Sequence, residues 1–115
     1  MEREAEIEYG DFHRVEMRVG RVVRVEDFPK ARKPAYKLWI DFGPEIGERK
    51  TSAQVTRLYD KEALVGRQVV AVLNFPPRQI ADFMSEVLVL GAMDDEDTVN
   101  LLRPDRDAPL GARIL

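Results

Sequence analysis

Cysteine is absent from the 115 residues, and histidine and tryptophan occur once each. Without cysteine there is no disulfide, no thiolate zinc site and no sulfur nucleophile. With His13 alone, neither a histidine-based metal site nor a histidine dyad is readily assembled, and His13 reads as a surface residue. Glycine-rich phosphate loops of the GxGxxG or GxxxxGK[ST] type are missing. No uninterrupted apolar run reaches the ~18 residues a membrane helix needs. The first ten residues, MEREAEIEYG, are acidic where a secretory leader begins basic and turns apolar. These absences point away from an enzyme, a cofactor and membrane insertion, and toward a cytoplasmic protein. The run Asp94 to Asp97 is acidic, but it lacks the alternating spacing and distal Glu of a calcium loop, and reads as an exposed turn.

What is present is a core and a patterned charge. Hydrophobic residues make up 44% and charged residues 34% of the chain, enough for one small domain with a soluble surface. The net charge of −3 hides a pattern. Residues 11–91 carry 14 Lys or Arg against 11 Asp or Glu, whereas both ends are acidic. The body therefore leans mildly toward an anionic partner.

Alternation dominates the middle of the chain. Val15, Met17, Val19, Val23 and Val25 interleave with charged residues in a long first strand, and Gly20 suggests a bulge or bend within it. Asp11 is placed to cap a short turn over residues 12–15. Residues 26–37 hold two prolines and read as an extended loop. "YKLWIDFG" sets Tyr36, Leu38, Ile40 and Phe42 on one face and Lys37, Trp39 and Asp41 on the other. Residues 48–55 form a more polar third strand. Residues 56–68 are the one helical piece, capped by Asp60 and ended by Gly66. "VVAVLNF" at 69–75 reads as a strand buried on both faces, 85–92 as a fifth strand, 93–100 as an acidic turn, and "VNLLRP" as a short last strand. Five main strands with one short helix between the third and fourth predict an all-β, five-stranded OB-fold barrel with terminal extensions. Residues 1–10 are expected to be an N-terminal extension, and 11–115 a single OB domain with a C-terminal extension.

Between the fourth and fifth strands, "NFPPRQIADFMSEVLVLGA" (74–92) places Phe83 and Met84 in an otherwise polar loop beside Arg78. This stretch, "YKLWIDFG", "RKTSAQV" and "DFHRVEMRVGRVVRVEDFP" together resemble the tRNA-binding domain found in methionyl-tRNA synthetase extensions and in free-standing tRNA-binding proteins. The phrases "SAQ" at 52–54 and "NFPPR" at 74–78 bring the resemblance closer to the CsaA-type protein-secretion chaperones within that family. Where tRNA-binding relatives carry basic and glycine residues, this chain has Pro76, Gln79, Ala81 and Asp82, followed by Ser85, Glu86, Val87 and Leu88. The family resemblance implies an OB-fold and a homodimer formed through terminal extensions.

Two function classes follow. A holdase for protein export would present apolar side chains to unfolded preprotein segments. The candidates are Trp39, Phe75, Arg78, Ile80, Phe83 and Met84, and a preprotein translocase component is an expected further partner. The alternative is structure-specific tRNA binding through Lys30, Arg32, Lys33, Lys37, Arg49, Lys50 and Arg78, with Ser52, Asn74 and Ser85 as polar contacts. Ile7, Tyr9, Leu110, Ile114 and Leu115 lie outside the five-strand core and are the expected dimer contacts.

Overall fold

The alternation in "YKLWIDFG" becomes strand β2, Tyr36–Asp41. Leu38 and Ile40, with Phe42 just beyond, are buried almost completely, while Lys37, Trp39 and Asp41 face outward and are half-buried. In the computed structural model, which describes every residue except 96, β2 lies between β1 (Met17–Asp27) and β3 (Glu48–Ala53), antiparallel to both. β4 (Gln68–Val72) pairs with the other end of β1, and β7 (Leu88–Val89) pairs with β4, giving the order β3-β2-β1-β4-β7. This sheet curls into the expected five-stranded OB-type barrel. Every residue of β4 is buried, as a strand apolar on both faces requires. The core joins Val22, Leu38, Ile40, Phe42, Leu64 and Val69, and each such side chain contributes roughly 1.5–3 kcal/mol by burial.

β1 is long because it serves both halves of the barrel. Its bulge falls at Val23, where the pairing with β2 shifts between Val22 and Arg24, and not at Gly20. The extra residue turns Val23 outward and returns Val25 to the core side. Gly20 has a different reason: a Cβ there would drive into Ile40 and Phe42, so the strand crosses the core closely.

The helix predicted over 56–68 shrinks to one turn, α2 (Lys61–Leu64), in the expected place between β3 and β4. The Asp60 carboxylate accepts from the Ala63 N–H at 2.8 Å, and Gly66 takes a φ of 89° to end the turn. Only Leu64 of this helix is buried, so a longer helix would have had no apolar face to dock. At the N-terminus, α1 (Tyr9–His13) follows Glu8, whose N–H donates to Asp11. Asp11 therefore serves three residues into the helix and is not its N-cap.

The fifth strand read over 85–92 is three pieces. β5 (Arg78–Ile80) and β6 (Phe83–Ser85) form a hairpin, β7 follows, and β8 (Gly91–Asp95) pairs with β9 (Thr98–Leu101). Asp94 and Asp95 thus belong to a strand that the sequence reading had placed in a turn. The C-terminal tail lies along the start of β1, with Val19 N–H on Ala112 O and Ile114 N–H on Met17 O, both at 2.9 Å. Buried Gln68 secures the segment before it by a two-way bond with the Ala108 backbone, at 2.8 and 3.0 Å.

Candidate binding surfaces

The barrel closes between β3 and β7 through a seam made mostly of side chains. Lys50 N–H donates to Glu86 Oε1 and Glu86 N–H donates to Lys50 O. Buried Thr51 donates from Oγ1 to Val87 O at 2.7 Å, and its hydroxyl lies 2.9 Å from that of Ser85. Ser52 N–H reaches Ser85 Oγ at 3.2 Å. A groove of about 510 Å³ opens beside this seam, within the ~300–1,000 Å³ range of built binding sites. Residues 52–55 form one wall and 85–89 the other, with Phe75, Pro76, Arg78 and Ile80 at the rim. Val55, Val87 and Leu101 make a floor continuous with the core. Phe75 and Leu88 stay about half exposed, at 50% and 49%.

A second surface lies on the outer face of β2, under the β5–β6 hairpin. Phe83 is only 6% exposed and packs edge-on against Phe28 at 5.5 Å and Trp39 at 5.9 Å between ring centroids. Lys37 sits over the Phe28 and Phe83 rings at 4.9 and 5.1 Å, Lys50 over Phe83 at 5.0 Å, and Arg24 over Trp39 at 4.3 Å. At the hairpin tip the Lys30 ammonium donates to Asp82 at 2.9 Å and holds that carboxyl below its ordinary pKa. Ala81 in the two-residue turn has a φ of 52°. The left-handed residue of this turn is Ala81 and not its neighbour Asp82.

The peptide candidates therefore divide. Phe75, Arg78 and Ile80 line the groove, whereas Trp39 and Phe83 belong to the aromatic cluster. Phe83 is a buried residue and not the exposed loop side chain the sequence suggested. Met84, opposite Gln79 in the hairpin, is 38% exposed and meets neither group. The RNA candidates also scatter. Lys37 and Lys50 share the aromatic face, and Lys30 is paired with Asp82. Arg32 and Lys33 are exposed on the loop before β2, and Arg49 is half-buried. Asn74 holds the entry to β1, accepting from Glu16 N–H at 2.9 Å and donating to Arg14 O at 2.7 Å. Ser85 is similarly committed to the seam, and Ser52 lies in the groove wall beside it.

Among the dimer candidates, Ile7, Tyr9 and Leu115 are exposed, while Leu110 and Ile114 are half-buried against their own barrel. The exposed His13 ring meets Tyr9 edge-on at 4.3 Å. Among the described residues no cluster of three metal-ligating side chains occurs, and Glu96 of the acidic run lies outside them. No described helix is long and apolar enough to cross a membrane. Sequence reasoning missed Val55, Val87, Leu88 and Leu101, because their shared groove is built from three distant segments.

The chain is thus an OB-type barrel that carries an apolar groove and a cation-topped aromatic face. A family model described as "Putative tRNA binding domain" matches residues 17–113, and the chain belongs to that family. The crystal structure of chaperone CsaA from Bacillus anthracis superposes with a TM-score of 0.92 at 46% identity, covering 96% of this chain and all of that one. The CsaA chaperone protein from Picrophilus torridus gives 0.89 at 51% identity over the same shares. The methionine–tRNA ligase of Methanocaldococcus jannaschii is 34% identical over 98% of this chain, which spans only 17% of the ligase. The sequence and fold are thus those of a CsaA-type tRNA-binding-domain protein, and these structural neighbours are not catalytic domains.

Proposed function

We propose that this chain is a non-enzymatic molecular chaperone for protein export that holds unfolded preprotein segments as a homodimer. The groove carries this reading: an apolar floor, the half-exposed Phe75 and Leu88 and one cation suit side chains of varied sequence. Likeness to CsaA chaperones over their whole length supports it. Burying two or three client side chains at roughly 1.5–3 kcal/mol each, less the cost of ordering the client, leaves weak and reversible binding. That suits a holdase that passes its client on, to a preprotein translocase component in this reading, and a dimer would add avidity by doubling the sites. Exposed Ile7, Tyr9 and Leu115 offer apolar surface for dimerisation, and a cytoplasmic location belongs to the same proposal. In light scattering, a dimer has twice the 13.2 kDa chain mass, and the single-chain mass would reject it.

The second reading is structure-specific tRNA binding, favoured by the family model and by Lys37 and Lys50 above the aromatic rings of the sheet face. Binding of tRNA and of a urea-unfolded secretory precursor, measured side by side at two salt concentrations, separates the two. Phosphate binding weakens with a log–log slope of roughly −0.7 to −0.9 per phosphate neutralised, whereas apolar capture hardly responds. The chaperone reading predicts salt-tolerant precursor binding. Tight tRNA binding with no hold on the precursor would overturn it.

A further inference from the structure

The groove is built like a gap in a sheet. Lys50 and Ser52 turn their N–H groups away from β2, toward Glu86 and Ser85. β3 ends at Ala53, and Gln54, the next residue, lines the groove. On the opposite wall, Leu90 N–H bonds to Val70 O on β4. Leu88 and the Leu90 N–H therefore face β4, while the Leu90 carbonyl accepts from Leu102 N–H at 3.1 Å, and Val87 and Val89 face away from β4. Val87 O does so visibly, since it accepts from Thr51. The end of β3 and the outward side of β7 at Val89 thus flank the groove where the side-chain seam stops.

One cation and one carboxylate line the groove. Glu86 is engaged with Lys50 N–H, while Arg78 is exposed and, among the described residues, enters no ion pair. Resting on the chaperone reading above, we propose that the groove takes an extended polypeptide segment as an added β-strand between Gln54 and Val89, with an acidic side chain of that segment on Arg78. Alternate side chains of the segment fall on Val55, Val87 and Leu101, and the others face solvent. Main-chain bonds then supply affinity independent of sequence, and the period-two apolar pattern supplies selection.

The test uses fluorescence anisotropy of a labelled, capped heptapeptide alternating threonine and valine, with one threonine replaced by aspartate. Companion peptides carry N-methyl groups on alternate amides, or lysine for the aspartate. N-methylation is expected to weaken binding at least tenfold, as loss of two or more main-chain bonds implies. The lysine peptide is expected to bind about fivefold or more weakly to the wild type, and the difference to vanish in Arg78→Ala. Trp39 emission should not move, because Trp39 lies outside the groove. Equal binding of the N-methylated peptide would overturn the proposal, as would displacement of the peptide by a tighter-binding oligouridylate. The urea-unfolded precursor is assayed alongside. If it is held while N-methylation has no effect, strand addition fails and the chaperone reading stands; if neither precursor nor peptide is held, both fail.

Discussion

The groove at the barrel end and the aromatic face beneath the β5–β6 hairpin draw on the same stretch of chain and use it in opposite ways. Around the groove, Phe75 and Leu88 remain half exposed over an apolar floor, and Arg78 has no ion-pair partner among the described residues. On the aromatic face Phe83 is enclosed by Phe28 and Trp39, and the cations above it are already engaged with the rings. Apolar residues a few positions apart can thus serve a ligand or serve the fold. What separates them is whether the other elements leave a partner surface free.

The largest effect is expected from Phe83→Ala. If Phe83 holds the hairpin to the sheet, the substitution costs about 3–5 kcal/mol. Urea unfolding should show it, with a red shift of Trp39 emission as its ring neighbour is lost. A cost under ~1 kcal/mol would mean that Phe83 is a surface residue after all. Next comes Thr51→Val, which leaves Val87 O without its 2.7 Å donor beside the groove. An unsatisfied buried carbonyl costs about 1–3 kcal/mol, again read in urea, and unchanged stability would show that the seam does not need this hydroxyl.

Much of the barrel was legible because β2 alternates over six residues and β4 is an unbroken run of buried positions. Leu38, Ile40 and Phe42 declare their face without help from the rest of the chain. The hairpin was not legible: its strands are three residues each, too short for a period to register. The surface that buries Phe83 comes from Phe28 and Trp39, more than forty positions away in sequence. Asn74 and Ser85 look like ligand contacts as isolated polar residues, and only the folded chain reveals the backbone groups they satisfy. The helix expected over 56–68 is too long because its cap and stop signals are real, while the one turn that forms, 61–64, buries only Leu64.

Smaller effects sharpen the picture of the hairpin. Ala81→Gly removes a Cβ from a left-handed position in a two-residue turn and should stabilise by about 0.5–1 kcal/mol. No gain in the urea midpoint would show that the turn is unstrained. The smallest effect is that of pH. Asp82 has its folded pKa lowered by the Lys30 hydrogen bond, so its contribution is fully present above the ordinary aspartate value of roughly 3.9. It is lost as pH falls through the lower folded value. The stability difference between wild type and Asp82→Asn should be constant at neutral pH and shrink only in acid. A difference that grew on acidification would reverse the assigned sign.

On the proposed function, unfolded polypeptide binds in the groove and not on the aromatic face. The direct measurement is capture of a urea-unfolded precursor by Phe75→Ser with Leu88→Ser, against capture by Trp39→Ala, each variant first shown to be folded. Because Phe75 and Leu88 are half exposed, their exchange should leave the barrel intact. The groove variant is expected to lose affinity about tenfold or more while the face variant holds the precursor as the wild type does. Unimpaired capture by the groove variant, with loss on Trp39→Ala, would contradict it.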